Sequence, residues 1–240
     1  MGQTRTGTIQ NNLVSTFLVG GFVSNLGSLV FQIGFAIYAV QIGWPLAFVG
    51  LTLALCRYAQ TGSNLLWGDL GDRANARSWL IATDIGGGLT DLAMVFISLH
   101  FAEFPQSGVL AVLLFRNLAM GLQVPLRAKI GKVLADQNPG ASQNIAINLN
   151  IVAQGTTLFG AIFVLLLKRQ TGFAGICVFD LVTFSLSALS SSLLPGYLFA
   201  ESETSLRRAW AWKEKFRRYY NFNRGLFWRD VLISFPVWGT

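Results

Sequence analysis

Three ionisable side chains stand in the middle of long apolar stretches of this 240-residue chain: Arg57, Asp91 and Arg116. An ionised group near the centre of a bilayer costs on the order of 2.5 to 3.5 kcal/mol on insertion scales, so each such residue needs a partner or a task. Asp84 precedes Asp91 by seven residues, and at about 100° per residue the two fall within roughly 20° of each other on one helix face. Asp180 lies about two turns into a later apolar stretch. Two readings fit these residues. In one, Arg116 faces a cavity and attracts an anionic substrate group or sets the proton affinity of a carboxylate, with Asp91 paired to Arg57 or Arg116 behind it. In the other, the charges form buried ion pairs that only fix helix packing, which suits Arg57 with Asp91 at least as well. Asn11, Asn12, Asn25, Gln32 and Gln123 are polar residues of the first and fourth stretches, fit to line a cavity or to hydrogen-bond between helices.

Other chemistry is poorly provided for. The single histidine, His100, falls at the edge of an apolar stretch, and the sequence contains neither HExxH nor GxSxG. Cys56 and Cys177 lie in apolar surroundings without metal-ligand spacing and read as packing residues. Gly86-Gly87-Gly88 lacks the Lys-Ser/Thr of a phosphate loop and reads as a place of close helix approach. No metal, no cofactor and no ATP-binding motif is expected. An enzyme is not expected either, a carboxylate-only site of Asp84 and Asp91 being the one enzymatic alternative.

The elements that carry these residues follow from composition. The chain is 52% hydrophobic and 12% charged, with mean hydropathy +0.51, whereas soluble domains carry about 25% charged residues. That excludes a water-soluble globule, and 19 Phe and 7 Trp exclude disorder. Crossing the hydrocarbon takes roughly 20 apolar residues. The 51 residues between Arg5 and Arg57 contain no Asp, Glu, Lys or Arg, which is room for two helices and a turn. A secretory signal is excluded, since its apolar core would run only about 7 to 15 residues.

The chain reads as an all-α membrane protein with six transmembrane helices near Leu13 to Val40, Leu46 to Trp67, Trp79 to His100, Val109 to Pro125, Ile145 to Leu167 and Phe173 to Leu194. Residues 1–194 form the bundle, 195–225 a basic cytoplasmic linker, and 226–240 the start of a seventh span about five residues short of a crossing. Of the 18 Lys and Arg, 14 fall on one side, namely Arg5, Arg73, Arg77, Arg127, Lys129, Lys132, seven of the linker and Arg229, against Lys168 and Arg169 on the other. Basic residues mark the cytoplasmic face, so the N-terminus and the linker are expected inside, with the protein in the plasma or inner membrane. The net charge of +7 therefore reflects topology and not nucleic acid. The linker segment Ser205 to Arg224 alternates aromatic and basic residues; it either lies along an anionic lipid surface or merely enforces topology.

Between the second and third spans the chain reads Gly68-Asp69-Leu70-Gly71-Asp72-Arg73-Ala74-Asn75-Ala76-Arg77. The glycines allow a tight turn, Asp72 can cap a helix, and Arg73 and Arg77 are inside charges. Gly68, Leu70, Asp72, Arg73 and Arg77 in this position resemble the loop motif of the major facilitator superfamily, G-x-L-x-D-R-x-G-R-R/K. Asn75 and Ala76 stand where that family usually has Gly and Arg. Arg116, Gly121, Pro125, Asp136, Asn138-Pro139, Gly155 and Gly160 resemble a second pattern, that of the drug and siderophore exporters of this superfamily. Its glycine usually follows the arginine by four residues, here by five. Together the resemblances cover roughly Leu13 to Leu194, the N-terminal six-helix half of a twelve-helix transporter.

The resemblance implies that Asp72 helps to latch an outward-facing state, and that helices one and four line the cavity while helix three is peripheral. Arg116 is then the foremost substrate contact, with Asp91, Arg57 and Asp84 as substrate or coupling candidates. The expected function is proton-coupled efflux of a small amphipathic molecule, which needs a C-terminal half or a second copy as partner. The alternative is a truncated, non-transporting half that acts as an interaction or scaffold protein in the membrane.

Overall fold

The computed structural model describes the backbone of residues 3–73, 75–100, 105–137 and 142–196, and within these the side chains other than those of 3–12, 68–73, 137, 142–150 and 152–153. All of these helices belong to a compact unit, Met1–Ala200; residues 197–240, with the expected linker and incomplete seventh span, lie outside the described residues.

The described chain is helical: α1 (Gln3–Gln41), α2 (Leu46–Arg73), α3 (Ala76–Leu99), α4 (Gln106–Gln137) and α5 (Ser142–Ser192). Four stretches are long and apolar enough to cross a membrane: Leu13–Gln41, Ala76–Leu99, Gln106–Asp136 and Gln154–Ser192. Six were expected. The spans foreseen at 145–167 and 173–194 fall in one element, and α2, which carries Arg57, Gln60 and Asn64, is too polar to qualify.

The outside of the bundle is apolar, with Leu89, Leu99 and Leu165 each more than 60% exposed. Such a surface suits lipid and not water. The chain therefore has the character of an integral membrane protein.

Turn chemistry sets the element ends. After α1 the amide of Trp44 donates to Ala39 (3.0 Å) and that of Gly43 to Val40 (3.1 Å), with Gly43 at φ 89°. This double bond closes the last carbonyls of a helix and needs a left-handed residue, which glycine supplies without steric cost. Pro45 follows and opens α2. Helix α5 is broken at Gly172 (φ 68°, ψ −164°), a conformation essentially confined to glycine. Its arms run in opposite directions along α1. Phe22 and Leu29 meet Gly155 and Gly160 of the first arm in ascending order, whereas Gly20, Gly27 and Gly34 meet Ser190, Thr183 and Ile176 of the second in descending order.

Gly20, Gly27 and Gly34 recur every seven residues and so form one stripe of α1. A β-carbon at Gly27 would lie 2.5 Å from Asp180 Oδ1, and one at Gly34 would lie 2.7 Å from Ile176 Cδ1. Small residues in this stripe let α1 approach the second arm of α5 closely, as helices do in lipid. Gly87 and Gly88 do the same for α3, where a β-carbon at Gly87 would lie 2.7 Å from Phe184 Cζ.

Two expectations about boundaries are corrected. The segment from Gly68 is not a loop: α2 continues through Arg73, and the side chain that caps α3 is Asn75, which accepts from the Ser78 amide at 3.3 Å. The side chains of Gly68, Leu70, Asp72 and Arg73 lie outside the described residues. Helix α4 does not end at Pro125 but passes through it to Gln137, because a proline removes only one amide donor and its neighbours hold the helix together.

The buried side chains fall into two apolar clusters at opposite ends of the bundle. Leu26, Phe31, Met94, Leu113 and Ile176 belong to one, and Phe17, Leu80, Leu126, Ile130 and Leu194 to the other. Between these clusters the buried residues of α3, α4 and the second arm of α5 are mostly small or polar, among them Asp84, Asp91, Arg116, Gln123, Asp180 and Ser187, with Phe184 the large exception. The functional candidates lie there.

Candidate functional site

Arg116 on α4 is 2% exposed and is held by two carboxylates from different helices. Its Nε donates to Asp91 Oδ1 on α3 at 3.2 Å, and its Nη2 donates to Asp180 Oδ2 on α5. Nη1 reaches Met120 Sδ one turn along α4 at 3.1 Å. The guanidinium plane lies over the Phe31 ring, 4.0 Å from its centroid, with Phe184 at 5.6 Å on another side. Asp180 also accepts from Thr183 Oγ1 at 3.2 Å. Asp91 and Asp180 are both fully buried, and Asp91 Oδ2 has no hydrogen-bond partner. Two acids thus share one base in a buried setting, where every charge and every unpaired lone pair is costly.

A second polar layer repeats this arrangement seven residues along each helix. Asp84 on α3 accepts from Gln123 Nε2 (2.8 Å) and Ser187 Oγ (2.9 Å), with Arg127 Nη2 4.0 Å away. Arg127 also donates to the Gly21 carbonyl of α1 at 3.1 Å and to Gln123 Oε1 at 3.3 Å. Asp84 and Asp91, Gln123 and Arg116, and Ser187 and Asp180 are each seven apart, or two turns and about 10 Å along a helix. One layer pairs one acid with one base. The other is one acid in excess.

In front of Arg116 is a cavity of about 310 Å³ between α1, α2, α4 and the first arm of α5. Its polar wall includes Asn25, Ser28, Arg57, Gln60, Asn117 and Thr156, and its apolar wall includes Phe31, Phe35, Leu53 and Leu113. That size is at the lower end for small-molecule sites, about 300 to 1,000 Å³. Asp84, Asp91 and Asp180 do not line it, so Arg116 is the residue shared by cavity and charge cluster.

Comparison with protein-family models, with curated proteins and with solved structures gave no significant match. The site therefore stands on its geometry.

Of the four charged candidates, Arg116 and Asp91 meet directly, and Arg57 lines the cavity with its Nη1 on Gln60 Oε1 at 2.9 Å. A pairing of Asp91 with Arg57 does not form. Asp84 belongs to the second layer. Arg77, in the first turn of α3, donates to the Ser192 carbonyl at the end of α5. Asn25 and Gln32 line the cavity, whereas Gln123 serves as an interhelical hydrogen-bond partner; the side chains of Asn11 and Asn12 lie outside the described residues.

Two members escape a reading of the sequence as sites. Asp180 is 64 residues from Arg116, and the signal was a lone acid within an apolar run. Arg127 was counted among the cytoplasmic charges because Pro125 precedes it, yet its side chain is only 13% exposed and sits beside Asp84.

Proposed function

We propose that this protein is a secondary transporter of the major facilitator type, moving a small amphipathic molecule out of the cell in exchange for protons. In this reading α1 to α4 and the two arms of α5 are six crossings that form one bundle, with the N-terminus in the cytoplasm. A second bundle, from a C-terminal half or another copy, completes the path. The carrying observation is the double duty of Arg116, which lines the cavity on one side and binds Asp91 and Asp180 on the other. A ligand that engages the guanidinium alters its hold on two buried acids, so occupancy and protonation become linked. Intramembrane ionisable residues beside a cavity are the usual components of such relays. The sequence pattern of Gly68, Leu70, Asp72, Arg73 and Arg77 supports the family assignment by resemblance, although 68–73 are helical.

The test uses the whole protein that carries this chain, reconstituted into proteoliposomes around a trapped pH-sensitive dye. Adding amphipathic candidate substrates should drive proton movement above that of empty liposomes, and Asp91→Asn should uncouple it. Absence of any substrate-dependent proton movement overturns the proposal.

A second reading, a non-transporting half that only associates with other membrane proteins, draws on Asn75. This residue departs from the family pattern and serves as the N-cap of α3, a purely structural task. The same assay separates the two, since a scaffold moves nothing.

A further inference from the structure

The charges that face the cavity differ from those behind it. Its charged lining consists of Arg57 and Arg116, with no carboxylate. Arg116 is already engaged by Asp91 and Asp180. Arg57 is exposed to the cavity, its Nη1 is steadied by Gln60, and among the described residues no carboxylate pairs with it. A guanidinium has five N–H donors in a planar fork, so most of those on Arg57 are open to an incoming group. Ser28, 6% exposed, also lines the cavity, and its hydroxyl has no hydrogen-bond partner. A buried hydroxyl left unpaired points to a polar group that arrives with a ligand.

The other walls fix the rest of the ligand. Phe31 and Phe35 are both 2% exposed, and Leu53 and Leu113 add aliphatic surface to the same cavity. Such walls favour a flat apolar body.

We infer that the cavity takes an organic monoanion with an aromatic body, its anionic head on Arg57 and its ring between the phenylalanine and leucine walls. A carboxylate or sulfonate is the matching head, because the guanidinium fork binds two oxygens at once. This rests on the transporter reading only in treating the cavity as the substrate site. It names the substrate class, which that reading left open.

The test is binding by the whole protein in lipid nanodiscs, with three probes of one shape: benzoate, benzamide and benzamidinium, which are anionic, neutral and cationic. Benzoate should bind saturably and at least about tenfold more tightly than benzamide, the worth of one charge-assisted hydrogen-bond set. Arg57→Gln should remove that preference, bringing benzoate affinity down to that of benzamide with little change in thermal stability, since Arg57 has a single side-chain partner. Equal binding of benzoate and benzamide, or tightest binding of benzamidinium, overturns the inference. So does a benzoate preference that survives Arg57→Gln. Anion binding without transport in proteoliposomes keeps the inference and sinks the transporter reading, whereas transport confined to cations does the reverse.

Discussion

Arg116 on α4 donates through Nε to Oδ1 of Asp91 on α3 at 3.2 Å, with both side chains 2% exposed or less. Asp180 holds the same guanidinium from α5, so this one group ties three helices together at mid-depth. Its removal and the removal of one acid are not equivalent.

Arg116→Gln strands two buried carboxylates side by side, whereas Asp91→Asn leaves Arg116 paired with Asp180. Breaking a buried pair by deleting one partner costs about 3 to 5 kcal/mol. Arg116→Gln is therefore expected to lower the apparent Tm in nanodiscs well below that of Asp91→Asn. Thermal unfolding of the two variants side by side checks this, and equal losses would remove the two-acid, one-base description.

Helix α4 touches α2 at Gly121, where a β-carbon would overlap the Gln60 carbonyl oxygen and lie 2.7 Å from Ser63 Cβ. Ser63 Oγ donates to the Leu118 carbonyl nearby at 2.7 Å. Because backbone blocks the space, Gly121→Ala must push the two helices apart, displacing Gln60 and Asn117 in the cavity wall. Gly62→Ala, at a site with open space, is the control. Ligand binding and Tm should both fall for Gly121→Ala and for the control change little. Unchanged binding by Gly121→Ala contradicts the close approach.

At Gly172 the cost is in the backbone and not in space, since nothing lies within 4 Å of the site where a β-carbon would stand. Its φ and ψ fall in a region that side chains avoid at about 1 to 3 kcal/mol. Gly172→Ala should lower stability by that amount, and Gly172→Asn should not restore it, because asparagine tolerates the ordinary left-handed region but not this one. Rescue by asparagine would mean that the arms of α5 turn differently. Yields of folded protein by fluorescence-detected size exclusion provide the readout.

These relationships differ in how far the amino-acid sequence discloses them. A charge in an apolar run is conspicuous, so Arg57, Asp91 and Arg116 are legible one by one, as is the shared face of Asp84 and Asp91. Which acid meets which base depends on how helices far apart in sequence pack, and that hid Asp180 behind a separation of 64 residues. Pro125 marks the end of the fourth stretch in the sequence, which leaves Arg127 outside it. In lipid a helix passes through proline when neighbours satisfy the freed carbonyl. Glycines at 68 and 71 suggest a turn, but the backbone stays helical through Arg73, and α3 opens at Ala76 with Asn75 as its cap. The reversal at Gly172, by contrast, is expected as a boundary from the sequence and occurs there, at a residue with non-helical φ and ψ.

The proposed transport requires the cavity beside Arg116 to open in turn to the two sides of a membrane. Asn117, on the cavity wall, is the position to probe, in a protein where Cys56→Ser, Cys177→Ser and replacement of any further cysteine have removed the native thiols. Asn117→Cys in sealed, oriented vesicles of the whole protein is treated with a membrane-impermeant maleimide from one side and then from the other. Labelling from both sides, with benzoate shifting the ratio between them, is the predicted result. Labelling from a single side only, whatever the ligand, would contradict transport and leave a fixed binding protein in its place.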